Sequence, residues 1–423
     1  MSAPASVIKA SQLCEMPIAV LIMERSAPIW SFSIADIVCF LAFSHNKTRC
    51  STEYCCADRC QESSATLPCT RHHGSKHSMN LRSSLHLPNH TMTLPLPIPP
   101  LRLFEIDDQS WFPPSLRLSV QACLTKVWKF QAPFLQTTSP ASLVAHTLQS
   151  VLGPSNLQKY TFVDFCAGAG GPTPYIEREV NRTYKQTKAE QTQLHNQLGQ
   201  NGHSSRQDED DGENGGGVDF VLTDIHPHIA AWSQAAKRSD NILYVSSSVD
   251  AANAPKDLLA LAGAPSYGNT VRKEKNRKIF RLFNLAFHHF DDELAIEILQ
   301  NTLETSDGFA IFELCGRDVG NLVTELMLAP LLWLGSWYWF WGQWGQLFWT
   351  YVIPVIPFVV VFDGLVSCLR TRREGEVREL IARTEKGVDG WRFETGGEVH
   401  TWPMGTMRYF IGIKDGGKQK KLL

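Results

Sequence analysis

In VDFCAGAGG, residues 163–171, an acidic residue ends an apolar run, and glycines follow it four and six positions later. Asp164 is the acidic residue, and Gly168 and Gly170 are the two glycines. Glycines at a strand-to-helix turn permit positive φ and let the backbone approach a ligand closely. The stretch therefore predicts a strand, a ligand-binding turn and a helix. Nicotinamide-dependent enzymes share such a turn, so the turn alone leaves the ligand open.

Short apolar runs alternate with helical stretches around this turn. Five strands are predicted, at Tyr160–Cys166, Val218–Thr223, Ile242–Val245, Phe280–Ala286 and Gly308–Leu314. Helices are predicted between them, at Pro174–Val180, Ile229–Arg238, Pro255–Ala262 and Asp291–Thr302. Upstream, the apolar spacing predicts helix over Ser115–Gln149. The alternation predicts an α/β, Rossmann-like and mostly parallel sheet with helices on both faces.

A second acidic residue, Asp224, follows the second predicted strand. It lies 60 residues after Asp164, and 23 residues after it when the polar, glycine-rich stretch Asn181–Gly217 is left out. That stretch predicts a disordered loop. Nucleotide sites place a carboxylate about 20 residues beyond the first glycines, where it binds two ribose hydroxyls. The spacing therefore predicts that Asp224 binds a ribose.

Two further stretches follow in the same order along the chain. Val249-Asp250-Ala251 comes after the third predicted strand, and the fourth strand leads into 284–292, NLAFHHFDD. Together with the first two motifs, they resemble the class I S-adenosylmethionine-dependent methyltransferases over roughly residues 160–320. No subfamily is identified. The family usually has glycine two positions after the first acidic residue, where this chain has Cys166, which removes one flexible point but leaves the turn possible.

The resemblance implies S-adenosylmethionine as the cofactor. Asp164 would order the turn or face the methionine end, and Asp250 with the Ala251 amide would contact the adenine. The remaining residues implied for the cofactor pocket are Cys166, Gly168, Gly170, Asp224, Asn284 and Ala286. His288 and His289 would lie beside the transferring methyl, where an imidazole could orient the acceptor or act as a base. Glu313, at the end of the fifth strand, is a further candidate for the pocket.

Three other functions stay open. The turn also resembles the D-x-C-A-x-x-G-G loop of RNA 2′-O-methyltransferases, but their Lys-Asp-Lys-Glu set cannot be placed in this chain. A non-catalytic, membrane-associated binding protein and a nicotinamide-dependent oxidoreductase are the alternatives from other classes. The chain has 40 basic and 42 acidic residues. This balance argues against a bulk nucleic-acid binder, which is normally basic.

A tryptophan-rich segment, Leu326–Phe362, contains no charged residue and six of the twelve tryptophans. Trp and Tyr favour membrane interfaces, and the basic residues Arg370, Arg372 and Arg373 would favour the cytoplasmic leaflet. The last predicted strands, near Trp391–Phe393 and Tyr409–Ile413, would form an antiparallel pair closing the sheet. A single span would separate them from the sheet, so a returning hairpin or an interfacial helix pair is predicted. A lid over an apolar substrate and a dimer interface are the alternatives.

These features divide the chain as follows: a poorly ordered extension 1–91, a helical cap 92–159, a cofactor-binding core 160–321, an apolar segment 322–369, a closing helix and strands 370–415, and a basic tail 416–423. Seven of the eleven cysteines lie in the extension without C-x-x-C pairs, so no metal site is predicted there. The predicted location is intracellular, on the cytoplasmic side of a membrane. The alternative is a soluble cytoplasmic protein. Its acceptor would be a small, apolar or lipid-like molecule.

Overall fold

The computed structural model describes residues 94–199, 217–264, 269–270 and 277–415. The predictions for the extension 1–91, the basic tail 416–423 and residues 200–216 of the polar stretch lie outside the described residues. Of residues 194–199, 264, 269 and 270, only the backbone is described.

The described chain alternates strands and helices from residue 160 onward. The strands are β1 Tyr160–Phe165, β2 Phe220–Thr223, β3 Ile242–Tyr244, β4 Gly263–Ala264, β5 Asn269–Thr270, β6 Lys278–Asn284, β7 Gly308–Glu313, β8 Trp391–Thr401 and β9 Gly405–Lys414. The helices are α1 Pro114–Lys129, α2 Pro140–Leu152, α3 Pro154–Leu157, α4 Thr173–Gly199, α5 Ile229–Ala236, α6 Leu258–Leu261, α7 Asp292–Thr305, α8 Val319–Trp339, α9 Trp344–Tyr351, α10 Val355–Arg370 and α11 Glu374–Ala382. Short 3-10 turns occupy Ala251–Asn253 and Phe287–His289.

The strands form one sheet in the order β5-β4-β3-β2-β1-β6-β7-β9-β8. Strands β3, β2, β1, β6 and β7 run parallel, whereas β9 is antiparallel to both β7 and β8. The closing hairpin is the antiparallel pair that the sequence predicts, and the apolar insertion precedes it. The predicted Rossmann-like, mostly parallel sheet with a closing antiparallel pair is thereby confirmed.

Alternate residues of the central strands pack on opposite faces of the sheet, as the period of a β-strand requires. On one face, Phe162 of β1 packs between Phe220 of β2, on which it stacks, and Phe280 of β6, to which it is tilted, with ring centroids 5.0 and 5.1 Å away. Helices α2, α4 and α5 cover this face. On the other face, Phe165 and Phe283 stack at 5.9 Å beneath α7 and α11. Both faces are covered, so the carboxyl edge of the sheet is left for a ligand.

The prediction of a disordered loop from Asn181 is wrong as far as Gly199. Helix α4 continues to Gly199 because residues 182–198 contain strong helix formers such as Lys, Glu and Gln and no glycine or proline. Asn181 itself is buried, and its side chain exchanges two hydrogen bonds with the backbone of Val218 before β2. The predicted continuous helix Ser115–Gln149 is also broken, between α1 and α2, where Pro133 and Pro140 interrupt it.

Helices α1, α8, α9 and α10 form a cap with an apolar core of its own. This core contains Phe112, Val120, Cys123, Leu332, Phe340, Leu347, Ile356, Val359 and Val360. Within the described ranges, α8 is long and apolar enough to cross a membrane, and 28% of its apolar window is buried. Helices α9 and α10 pass the same test only as a pair, bent by 68°. The cap returns the chain to β8 on the same sheet.

Candidate functional site

The glycine turn after β1 adopts the backbone conformations that its sequence predicts. Gly168, Gly170 and Gly171 have φ of +50°, +102° and +44°. Cys166 also has positive φ, +64°. This conformation costs a residue with a side chain roughly 1–2 kcal/mol relative to the right-handed region. Cys166 therefore adopts a backbone conformation that favours glycine, at a cost in strain.

Asp164 is buried at the end of β1, and its side chain links the glycine turn to α4 and β6. Its carboxylate accepts hydrogen bonds from the Thr173 hydroxyl at the start of α4 and from the Asn284 amide of β6, the latter at 3.3 Å. Burial raises the pKa of Asp164 to about 7, although both hydrogen bonds oppose that rise. Of the two roles predicted for Asp164, these contacts correspond to ordering of the turn.

Asp224 lies directly after β2 and reaches across to the glycine turn. One carboxylate oxygen accepts from the Gly168 amide at 2.8 Å, and the other accepts from the His226 amide at 2.8 Å. The Gly168 carbonyl in turn accepts from the buried Trp232 indole of α5 at 2.9 Å. The two acidic residues paired by sequence spacing are therefore joined through one turn at the carboxyl edge of the sheet.

The third strand, β3, pairs with β2 in parallel. The Val249 amide donates to the Asp224 carbonyl at 2.9 Å, which places Asp250 next to this edge. The Asp250 side chain is exposed and caps its own 3-10 turn, accepting from the Ala252 amide at 2.9 Å. Ala251 is buried, and its carbonyl accepts from the buried Arg281 guanidinium at 3.2 Å.

Asn284 and Ala286 lie at the carboxyl end of β6, and both are buried. Between them, Leu285 has φ of +51°, a strained value for a bulky residue. Strained residues thus follow two adjacent strands, Cys166 after β1 and Leu285 after β6. Strain of this kind clusters at ligand sites. The sequence carries no signal for the strain at Leu285.

His288 and His289 form a separate cluster with residues from distant parts of the chain. His288 is 3% exposed, and its Nδ1 lies 2.8 Å from Glu313 Oε2 of β7. His289 Nδ1 lies 2.8 Å from Asp108 Oδ2. The Nε2 atoms of both rings lie 3.6 Å from Glu105, one from each carboxylate oxygen. Burial raises the pKa of Glu105 to about 7.

Two arginines at the end of the apolar segment hold the histidine turn. Arg370 donates to the carbonyls of His288 and His289, at 3.0 and 2.8 Å. Arg372 donates to the carbonyls of Phe287 and Phe290, at 3.1 and 2.8 Å. Both arginines are buried, so the interpretation of these residues as a basic flank for a membrane leaflet is wrong. They also pair with carboxylates of the protein, Arg370 with Glu105 at 3.5 Å and Arg372 with Asp292 at 2.8 Å.

Sequence analysis missed Glu105, Asp108, Thr173, Arg370 and Arg372 as members of these clusters. Glu105 and Asp108 lie in an irregular, proline-rich stretch whose partners are about 180 residues away, as the separation of 181 between Asp108 and His289 illustrates. Spacing arguments do not reach across such distances. The one available signal was the position of Arg370, a charged residue shortly after the apolar segment.

The residues at the glycine turn fit an adenosyl cofactor. A Cβ added to Gly168 would meet nothing within 4 Å, so open space lies beside the turn next to Asp224. Each carboxylate oxygen of Asp224 makes one hydrogen bond and keeps a lone pair for a hydroxyl. At the end of β6, Asn284 Oδ1 is buried without a hydrogen-bond partner among the described residues. Such an acceptor suits an ammonium donor.

No family model matches the chain, and no curated protein matches it. Solved structures similar to it include human N-acetylserotonin methyltransferase in complex with SAM, at 13% identity, TM-score 0.30, and coverage of 65% of this chain and 56% of that one. Magnesium protoporphyrin IX methyltransferase from Synechocystis PCC 6803 has 9% identity, TM-score 0.28 and coverage of 73% and 88%. A putative Zn-dependent alcohol dehydrogenase from Rhodobacter sphaeroides has 11% identity, TM-score 0.34 and coverage of 70% and 98%.

The chain spans 55% of the pyocyanin biosynthetic protein PhzM, 58% of an O-methyltransferase family protein from Burkholderia thailandensis and 56% of the human enzyme. Likenesses at TM-scores of 0.28 to 0.34 say nothing about activity. The fold assignment rests on the strand order, the strand directions and the glycine turn.

Proposed function

We propose that the protein is an S-adenosylmethionine-dependent methyltransferase that acts on a small, apolar or lipid-like acceptor at or near a membrane. The observation that carries the proposal is the 2.8 Å hydrogen bond between Asp224 and the glycine turn, in a sheet with a closing antiparallel hairpin. This bond holds the Asp224 carboxylate, which would bind the ribose, beside the backbone of the glycine turn.

The residues of this edge would divide the work of binding. Asp224 would accept the two ribose hydroxyls, and the Ala251 amide with Asp250 would meet the adenine. Asn284 Oδ1, buried and unpaired within the described residues, would accept from the amino group of the methionine moiety. S-adenosylmethionine supplies an electrophilic methyl on a sulfonium, and the protein's task is to position the acceptor and exclude water.

Catalytic roles for His288 and His289 stay a prediction. The His288 ring is buried, and its Nδ1 is engaged by Glu313, which disfavours a direct encounter with an acceptor. The His289 side chain is 31% exposed and is the more accessible of the two.

Calorimetry on the full chain tests the cofactor. We expect S-adenosylmethionine and S-adenosylhomocysteine to bind with one-to-one stoichiometry and NAD(P) not to bind. Binding of NAD(P) alone would support the oxidoreductase, and binding of an adenosyl ligand without transfer of labelled methyl to membrane extracts would support the non-catalytic alternative.

The membrane part of the proposal is supported by the tip of the cap. Trp337, Trp341 and Trp344 are 53%, 62% and 68% exposed, and neighbouring pairs of their rings lie 4.5 and 6.2 Å apart. Leu334 and Tyr338 are exposed beside them. A contiguous aromatic and apolar surface of this kind suits a membrane interface.

Flotation with phospholipid vesicles tests this surface. Trp341→Ser should release a larger soluble fraction than Trp402→Ser, because Trp402 is equally exposed but lies in the β8–β9 hairpin rather than in the tip. Binding of the wild type should persist in high salt, since apolar burial is not screened. Equal binding by the two variants would remove the tip as the contact. Trp339 is unsuitable for this test because it packs inside the cap against Phe130.

A further inference from the structure

The histidine cluster has the hydrogen-bonding pattern of ligands that are already oriented. Nδ1 of His288 faces Glu313 at 2.8 Å, and Nδ1 of His289 faces Asp108 at 2.8 Å. An ionised carboxylate can only accept, so in the neutral rings Nδ1 carries the hydrogen and Nε2 presents a lone pair. A carboxylate bound to the far nitrogen of a histidine is the usual support of a metal-ligating imidazole.

Both lone pairs point at a third potential ligand. The two Nε2 atoms lie 3.6 Å from the Oε1 and Oε2 atoms of Glu105, too far for a good hydrogen bond. One ligand atom from each of Glu105, His288 and His289 lies within 4.8 Å of the other two. At bond lengths of about 2.1 Å, a tetrahedral ion holds neighbouring ligand atoms about 3.4 Å apart. The two 3.6 Å separations are close to this value, and the 4.8 Å limit for the set of three is wider, so the side chains would draw together around a bound ion.

The backbone around these ligands is held by groups that do not occupy the site. Arg370 donates to the carbonyls of Leu103, His288 and His289, and its Nη1 also lies at ion-pair distance, 3.5 Å, from Glu105 Oε1. Ser367 donates to Glu105 Oε1 at 3.2 Å. Glu105 and His288 are 4% and 3% exposed, whereas the His289 side chain is 31% exposed. The cluster is thus rigid on the protein side and open on the side of His289.

We propose that Glu105, His288 and His289 bind a divalent transition-metal ion, with Asp108 and Glu313 as positioning residues. Two imidazoles and one carboxylate suit Zn²⁺ and Fe²⁺ better than Mg²⁺ or Ca²⁺, which prefer all-oxygen sites. The three ligands leave a position open toward His289 for water or an acceptor oxygen. This site goes beyond the proposed function, because neither the fold nor the glycine turn requires a metal.

Metal binding by the full chain tests the proposal. The protein is stripped with a chelator and titrated with Zn²⁺ against a competing chelator, and the site is then filled with Co²⁺ for absorption spectra. Glu105→Gln and His289→Ala should each lose one equivalent of ion relative to the wild type. Asp108→Asn, whose side chain is 45% exposed, should bind about 10- to 100-fold more weakly. His146→Ala, which removes another histidine paired with a carboxylate, should bind as the wild type does.

The Co²⁺ spectrum separates this site from the chain's cysteines. Cys315, Glu325 and Cys368 form a second buried group with metal-ligand geometry, and their thiolates would give charge-transfer bands. We expect a Co²⁺ species without those bands that disappears in Glu105→Gln. Equal stoichiometry in wild type, Glu105→Gln and His289→Ala would overturn the proposal and leave the cluster as a protonated ion-pair network. S-adenosylhomocysteine binding, measured on the same samples, separates failure of the metal site from failure of the proposed function.

Discussion

The glycine turn and the histidine cluster lie beyond the carboxyl ends of adjacent strands, β1 and β6, but they are held in different ways. The turn is held by residues of the sheet and its helices, such as Asp164, Thr173 and Asp224. The histidine turn is held by residues that the cap and the stretch before it supply, such as Arg370 and Asp108. One region is built within the Rossmann core, and the other combines Glu313 of the core sheet with residues of the cap and of the stretch before it.

The largest expected effect on stability comes from a substitution that disrupts the histidine turn. Arg370→Ala removes a buried guanidinium and leaves the carbonyls of Leu103, His288 and His289 without their donor. The free energy of unfolding should fall by about 3–5 kcal/mol, as for other buried charge networks that lose one partner. Denaturant unfolding measures this.

Arg392→Ala is the matched control for that experiment. Arg392 forms an exposed pair with Glu394 on β8, where such pairs contribute less than about 1 kcal/mol. If Arg370→Ala costs no more than Arg392→Ala, the cap does not hold the histidine turn, and the contrast between the two regions fails.

A smaller effect concerns the buried carboxyl under the glycine turn. Burial raises the pKa of Asp164 from 3.8 to about 7 in the folded state. The folded protein therefore holds a proton that the unfolded chain has released between these pH values. Stability should fall by about 1 kcal/mol per pH unit as pH rises from 4 to 7, and then level off.

Asp164→Asn isolates this contribution. The amide keeps an acceptor for Thr173 but does not titrate, so the wild-type curve minus the variant curve should carry the slope. Glu105, Asp107, Glu325 and Asp363 also have raised pKa values, and the subtraction removes their shared contribution. Parallel curves for the two proteins would show that Asp164 is ionised throughout this range.

The smallest expected effect on stability tests the backbone strain at Cys166 in the glycine turn. Cys166→Gly should raise the free energy of unfolding by up to about 1 kcal/mol, because glycine adopts φ of +64° without the steric cost, less its greater freedom when unfolded. Cys166→Ala keeps a Cβ and should be near neutral. Destabilisation by glycine, measured by thermal melting, would show that the thiol makes a contact worth more than the strain.

The two regions differed in how far the sequence predicted them. The strands that lead to Asp164 and Asp224 followed from apolar runs and glycine spacing, because those signals are local. The disordered loop from Asn181 was wrong because polarity was taken as disorder, although lysine, glutamate and glutamine also favour helix.

The cap could not be predicted in the same detail. Hydropathy found the segment 326–362 but could not distinguish the exposed Trp341 from Trp339, which packs inside. The same reasoning placed Arg370 and Arg372 at a membrane surface. Composition does not reveal that these two side chains are buried and donate to backbone carbonyls. Long-range contacts of Glu105 and Asp108 left no periodic signal at all.

The central claim, that the edge holding Asp224 binds an adenosyl cofactor, is tested most directly by titrating S-adenosylhomocysteine into wild type, Asp224→Ala and Asp240→Ala. Asp240 is an exposed aspartate before β3 and serves as the control. We expect wild type and Asp240→Ala to bind alike, and Asp224→Ala to lose about 1–3 kcal/mol of binding free energy, as expected when buried hydroxyls lose their acceptor. Unchanged affinity in a folded Asp224→Ala protein, or no binding by the wild type, would contradict the assignment.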